Sequence, residues 1–347
     1  MWPNLRIARR AARGLPAARN VCQTLHAKVL DIHLKNQPVV SFDGAMKRAV
    51  SAVVFVNPAA GSGRTKRTIS AAREAFARRT YSVEFVETNS RADLQSRIRA
   101  AADQGCATMI AMGGDGTLQL LVREVIARNL TVGVIPTGGG NDFAAALGIR
   151  GNLQTAIDAI VAGRTRLVDV VSVHFSNGDD ALYLGGGGMG LDAEAARYAS
   201  GRFLNWPGRL RYLASAIAAL RGFAGVELQA EFPDGDWPKL AKRVLLAAAL
   251  NTPTFGGGLR LAPDASLEDG SLEVVMIDML KKREVLALIP RLLVTGELRT
   301  NRVARFRTGA VRFSASGAPW FQGDGELLGK SPVEIGVMPK ALRMLAP

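Results

Sequence analysis

Between residues 50 and 143 short apolar runs alternate with longer stretches of helical spacing. Residues 50–56 form a continuous, β-branched run that reads as a buried strand. It ends in Asn57-Pro58-Ala59-Ala60-Gly61-Ser62-Gly63, and a helix is expected over about 68–78. Residues 81–87 alternate as a strand, 93–104 read as a helix, and a strand begins near Met109. A helical pattern over 118–126 follows, then a strand over 131–135. Strand–helix alternation at this spacing predicts a parallel sheet with right-handed crossovers, whose ligands bind beyond the strand C-termini. After about Arg164 the texture changes. Alternating runs at 167–175, 181–184, 226–232, 243–250, 271–278 and 310–314 are separated by Gly, Asp and Pro clusters. They predict an antiparallel β domain, interrupted by helices at 210–223 and 283–295, with a further strand at 333–337.

The expected architecture is therefore α/β. An N-terminal parallel-sheet nucleotide-binding domain is followed by a C-terminal antiparallel, β-sandwich-like domain. The expected division is a basic extension over 1–48, an α/β domain over 49–165 completed by 333–347, and a β-rich domain over 166–332.

Three glycine-rich loops each follow a strand of the first domain. Gly113-Gly114-Asp115-Gly116-Thr117 carries the most information. Glycines let backbone N–H groups approach a phosphate, and the following helix N-terminus adds partial positive charge. A carboxylate in such a loop repels phosphates unless a cation lies between them, so Asp115 points to a nucleotide–Mg²⁺ site. Asn57, Gly61, Ser62 and Gly63 form the second loop, which can serve a phosphate or simply break a strand. Thr137, Gly138, Gly140, Asn141 and Asp142 form the third, where Asn141-Asp142 is either a polar anchor or a helix cap. Loops at the C-termini of neighbouring strands can converge on one crevice.

Three features of the second half stay open on the residues alone. Gly185–Gly190 is either a flexible hairpin or a cleft wall leading into a helix. The acidic stretch 261–270 can hold a hard cation or simply join two strands. Asp324-Gly325-Glu326 is either an Asp-Gly hairpin turn or a pair of carboxylates, one accepting a hydroxyl proton and the other reaching Mg²⁺.

Composition narrows the partners. Of 347 residues 48% are apolar and 21% charged, as in a globular chain, and the formal net charge of +14 favours anionic partners. Arg6, Arg9, Arg10, Arg13, Arg19 and Lys28 lie in the first 30 residues without an acid, the pattern of a transit peptide, a membrane-surface arm or a disordered leader. Cys22 and Cys106, with three scattered histidines, support neither a disulfide framework nor a zinc site. Apolar runs fall short of the roughly 18 residues that span a bilayer. Dispersed charge and only four Trp and four Tyr argue against a nucleic-acid partner.

The glycine loops, together with Leu261-Ala262-Pro263-Asp264-Ala265, Asp269-Gly270 and Asp324-Gly325-Glu326, resemble the diacylglycerol kinase catalytic family, over about residues 50–347. The resemblance implies a lipid kinase with ATP and Mg²⁺ in a cleft between two domains. It implies Asp115 and Asp169 in the nucleotide–metal network, Thr117 and its neighbouring glycines on the phosphates, Asp324 beside them, Glu326 as general base, and Asp269 on a structural Mg²⁺. The family usually has Thr where Gly139 stands and often an arginine where Ala144–Ala146 stand. A membrane lipid is the expected substrate, an anionic membrane surface the expected partner, and a homodimer is open. The expected location is the cytoplasm with peripheral membrane association, and the helix near 210–223 with Trp206 is the expected docking face. An NAD kinase-like enzyme and a non-catalytic nucleotide-binding regulator are the competing readings.

Overall fold

The computed structural model describes residues 52–347 except 59, 204, 205, 207, 236 and 299. The readings placed on residues 1–48 lie outside this set. The first core is built on four parallel strands. β1 (Ala52–Val56) leads through a 3-10 turn to α1 (Arg64–Arg78), and β2 (Val83–Glu87) to α2 (Arg91–Asp103). β3 (Thr108–Gly113) leads to α3 (Asp115–Val125), and β4 (Thr131–Pro136) to the short α4 (Asp142–Ala146) and to α5 (Leu153–Ala162). Their spatial order is β4-β3-β1-β2, all parallel. β1 and β3 are buried on both faces, which explains their unbroken apolar runs. Phe55, Met112, Leu118, Leu121 and Phe143 fill the space between sheet and helices.

The remaining described residues are antiparallel β with three helices. β5 (Thr165–Phe175), β6 (Asp180–Tyr183) and β7 (Gly186–Gly190) precede α6 (Leu191–Ser200) and α7 (Gly208–Gly222). β8 (Val226–Glu231), β9 (Leu240–Leu250) and β10 (Leu272–Asp278) precede α8 (Lys282–Thr295). β11 (Val303–Thr308), β12 (Ala310–Ala315), β13 (Trp320–Gly323), β14 (Glu326–Lys330) and β15 (Val333–Leu345) follow. Val171, Phe175, Val226, Leu228, Val274, Phe313 and Phe321 meet in one second core, so these strands must curl over each other as a sandwich does.

β5 and β15 tie the two cores together. They pair antiparallel from Thr165–Leu345 to Phe175–Val333. The far end of β15 also runs parallel to β4 through Arg343 and Met344, while its near end pairs with β12. Val168, Val170, Met338 and Leu342 belong to the first core, and Val171, Val173, Val333 and Ile335 to the second. The register shifts between Met338 and Leu342, where Lys340 takes a positive φ of 53°. Asp169 holds this bulge. It is fully buried, its Oδ1 accepts the Lys340 N–H at 2.7 Å, and its Oδ2 accepts the Gly270 N–H at 2.7 Å.

Gly186–Gly190, entered through a bend at Gly185, is a buried strand rather than a flexible hairpin. A Cβ on Gly187 would come within 2.8 Å of both Phe321 and Tyr183, and one on Gly188 within 2.8 Å of the Ala247 carbonyl. Crowding between β9 and β13, not flexibility, requires glycine there.

Charge-assisted bonds contribute roughly 1.5–3 kcal/mol each, so Asp169→Ala should destabilise the fold by about 3 kcal/mol or more. Denaturant titration checks this, and a loss under about 1 kcal/mol would show that the bulge holds without the carboxylate.

Candidate active site

The three glycine loops singled out by the sequence meet. Gly114 and Gly138 approach so closely that a Cβ on Gly138 would lie 2.5 Å from the Gly114 Cα. A Cβ on Gly61, whose φ is +61°, would collide with the Thr137 carbonyl oxygen. Side chains lock the same three loops. Asn57 Nδ2 donates to Thr117 Oγ1 at 3.2 Å, and Arg64 Nη1 to the Gly138 carbonyl at 3.4 Å. Thr65 and Thr137 share a short hydroxyl–hydroxyl bond. Gly63, at φ 81°, stands at the N-cap of α1. Ser62 lies in the 3-10 turn Ala60–Gly63.

Asn141 occupies the N-cap position of α4 in a left-handed conformation, but its side chain does not cap the helix. It turns back on Gly138, donating to the carbonyl at 2.9 Å and accepting the N–H at 3.1 Å. The helix is met by Asp115 instead. Asp115 Oδ2 accepts the Asn141 N–H at 2.8 Å, and the Asp142 N–H also points to this carboxylate. A Cβ on Gly140 would lie 3.1 Å from the same oxygen.

Burial pushes the Asp115 carboxyl up to about 7, and the nearby charges of Asp324 and then Asp142 push in the same direction. Asp142 takes the Thr254 hydroxyl on Oδ1 and the Gly257 N–H on Oδ2, both at 2.7 Å. Asp324 is raised to about 6 by burial, against the pull of three backbone donors. Those donors are Leu184 N–H on Oδ2 at 2.7 Å, and Gly185 and Gly186 N–H on Oδ1 at 2.9 and 3.2 Å.

Asp324-Gly325 is the two-residue turn of the β13–β14 hairpin, with φ of 51° and 86° and Gly323 paired with Glu326. The turn and the site are therefore one feature. The hairpin carries Glu326 to α3, where Oε1 lies 3.2 Å from the place a Gly116 Cβ would take. Oε2 pairs with Arg91 at the start of α2. Behind the hairpin, Gln322 Oε1 accepts the Gly325 N–H at 2.9 Å, and Gln322 Nε2 donates to Asp192 Oδ2 at 2.9 Å. Burial raises Asp192 to about 6, opposed by that Gln322 bond.

Glu326, Asp115, Asp142, Asp324, Gly113, Gly114, Gly116, Thr117, Thr137, Gly138, Gly140 and Asn141 thus form one cluster with Asn57 and Gly61. Asp169 and Asp269 stand apart from it. Asp169 has Asp269 and Glu268 as its charged neighbours and spends both oxygens on backbone N–H groups. Asp269 accepts the Ser271 N–H at 3.0 Å and Arg307 Nη2 at 2.6 Å, so its carboxylate is ion-paired. Asp169 thus acts as a clamp at the junction of the two cores. Among the described residues no three His, Cys, Asp or Glu side chains gather to hold a metal by themselves. A divalent cation here fits the pattern of one or two carboxylates completed by phosphate and water oxygens. Burial first, and then the charges of Asp324 and Asp142, lift Asp115, and such a cation offsets both.

Nothing in the sequence singles out Arg91, Thr254 or Gln322, which are single polar residues brought in from distant elements. The site thus consists of a glycine cradle at a helix N-terminus with half-buried carboxylates, Glu326 among them, beside it. Residues 51–173 match the diacylglycerol kinase catalytic domain, and residues 186–346 the YegS C-terminal NAD kinase beta sandwich-like domain. The chain thus carries a diacylglycerol kinase catalytic domain and is a lipid kinase by class. It is similar to the diacylglycerol kinase of Mycobacterium tuberculosis (strain ATCC 25618 / H37Rv), 28% identical across 84% of this chain and 94% of that protein. The diacylglycerol kinase of Bacillus subtilis (strain 168) is 26% identical across 87% and 97%. A crystal structure of a diacylglycerol kinase from Bacillus anthracis str. Sterne covers 87% of this chain and 98% of its own at 17% identity, with a TM-score of 0.64, which shows a shared fold.

The raised Asp115 carboxyl sets a pH dependence. Between its ordinary value of 3.8 and about 7 the folded chain holds a proton that the unfolded chain has released. Stability therefore falls as pH rises through this window, by up to about 1.4 kcal/mol per pH unit. Asp115→Asn removes that slope, so its stability relative to the parent should grow from about pH 4 to about pH 7 and then level off. A constant difference across the window, in denaturant melts without added cation, would contradict the desolvated, repelled carboxylate.

Proposed function

We propose that the chain is an ATP- and Mg²⁺-dependent lipid kinase that transfers the γ-phosphoryl group of ATP to a hydroxyl of a membrane lipid such as diacylglycerol. One observation carries this reading: a hairpin from a distant part of the chain sets the Glu326 carboxylate against Gly116 at the N-terminus of α3.

The residues suit the parts of such a transfer. Thr117 N–H is bonded to the Gly114 carbonyl at 3.0 Å, and helix geometry leaves the Asp115 and Gly116 N–H groups at the start of α3 without intrahelical partners, available to phosphate oxygens. Gly61, Ser62 and Gly63 offer a second backbone wall, and Thr117, Thr137 and Asn141 hold the loops in register. Glu326 is the group placed to take the proton of the acceptor hydroxyl as its oxygen bonds to phosphorus, with ADP leaving. Arg91 fixes one Glu326 oxygen and leaves the other facing Gly116. A magnesium ion held by Asp115, with Asp142 and Asp324 nearby, would supply neutralisation of the charge on the polyphosphate. Positioning accounts for most of the acceleration in this chemistry. The net charge of +14 supports work at an anionic membrane surface.

Glu326→Gln should lower kcat about 10²-fold or more while ATP binding stays near that of the parent. Labelled ATP, Mg²⁺ and dispersed diacylglycerol provide the assay, with NAD as a parallel acceptor. Parent-like turnover by the variant would remove Glu326 as the base, and phosphorylation of NAD but not of lipid would overturn the acceptor class.

A further inference from the structure

Helix α8 is apolar on two faces, and only one of them is covered. Val285 and Leu288 pack inward against the cluster of Leu261, Val275, Ile277 and Leu280. Leu286, Pro290 and Val294 recur every fourth residue and therefore stack along another face. All three are exposed, Leu286 at 47% and Val294 at 85%. A helix on the surface of a globular core ordinarily turns polar residues to that side. The outward stripe here is bordered by the exposed bases Lys281, Lys282, Arg283 and Arg291. The nearby acids are Glu284, which accepts the Lys281 N–H at 2.7 Å, and Glu297, 3.9 Å from Arg291.

We infer that the outward stripe of α8 is the face by which the protein docks on an anionic lipid bilayer. An apolar stripe rimmed by bases is the pattern of helices that lie in the membrane interface. Charge decides between this occupant and a second copy of the chain. A symmetric contact through α8 would bring two basic rims together, whereas acidic headgroups pair with them.

The position of α8 favours the same use. Its first turn is fastened to α7, because Lys282 Nζ donates to the Arg221 carbonyl. Its end is fastened to the loop after β9, where the Arg260 N–H donates to the Gly296 carbonyl at 2.6 Å. That loop carries the Gly257 N–H bonded to Asp142 at 2.7 Å. Docking through α8 thus sets the bilayer beside an element that reaches the carboxylate cluster. The face earlier expected, on α7, offers less. Its described side chains from Arg211 to Leu220 are buried or half-buried, and the exposed Trp206 packs edge-on against Phe203.

This inference rests on the kinase acting at a bilayer, but its test reads binding without turnover. Full-length protein is sedimented with phosphatidylcholine vesicles and with mixed phosphatidylglycerol–phosphatidylcholine vesicles. The pair Leu286→Gln and Val294→Gln should weaken binding to the mixed vesicles about tenfold or more. Arg283→Glu should weaken binding to the mixed vesicles while leaving the pure phosphatidylcholine vesicles unaffected. Turnover of a short-chain diacylglycerol dispersed in water should stay near the parent rate in both, which separates lost docking from misfolding. Parent-like sedimentation of the double variant overturns the inference. So does a concentration-dependent dimer that the double variant abolishes while vesicle binding persists. If vesicle binding behaves as expected but no lipid is phosphorylated by the parent, the kinase reading fails and the docking face stands.

Discussion

Half-buried aspartates that accept backbone N–H groups from distant segments hold the cleft together. Asp115 takes the start of α4, Asp142 takes the loop after β9, and Asp324 takes the turn into β7. Asp169 does the same at the bulge of β15. Burying a carboxylate is costly, and hydrogen bonds to the charged form recover part of the cost. At Asp324 three donors pull against burial and hold the rise to about 6, whereas at Asp115 two donors leave burial and neighbouring charge to lift it to about 7. The same chemical device thus yields both scaffold and site.

Glycine supplies the complementary constraint. Gly61, Gly114 and Gly138 are small because backbone meets backbone, and Gly187 and Gly188 because aromatic rings and a neighbouring strand fill the space. The first set lets the three loops close directly on one another. The second closes the wall on which the Asp324 hairpin rests. Polar loops crowded against each other without side chains to bury contribute little to stability, so the two apolar cores on either side carry that burden.

Much of the first core was legible in the sequence. The strands near 52, 83, 108 and 131 and their helices follow from unbroken apolar runs and helical spacing, as parallel sheets require. That the three glycine loops can converge followed from each lying at the C-terminus of a parallel strand. Less was readable in the second half. β7 has too few side chains to show a period, and β13 and β14 are short strands, with β13 reaching back to β7 across a long stretch of chain. Asp169 and Asp324 carry no local mark that separates a clamp from a ligand, because the distinction lies in how many N–H groups the fold brings to them. Arg91 is one arginine among many until the hairpin delivers Glu326 to it.

The double membership of β15 bears on how the chain is made. Met338, Leu342, Met344 and Leu345 complete the core that begins with Ala52, and Arg343 and Met344 pair with β4. A ribosome releases these residues only after the whole second core has emerged. The nascent N-terminal half therefore waits with an open sheet edge at β4 and an unfilled apolar face until β15 arrives to close it. A fold whose first layer is sealed by so late a strand resists stepwise maturation, and premature termination anywhere before β15 leaves β4 without a partner on that side.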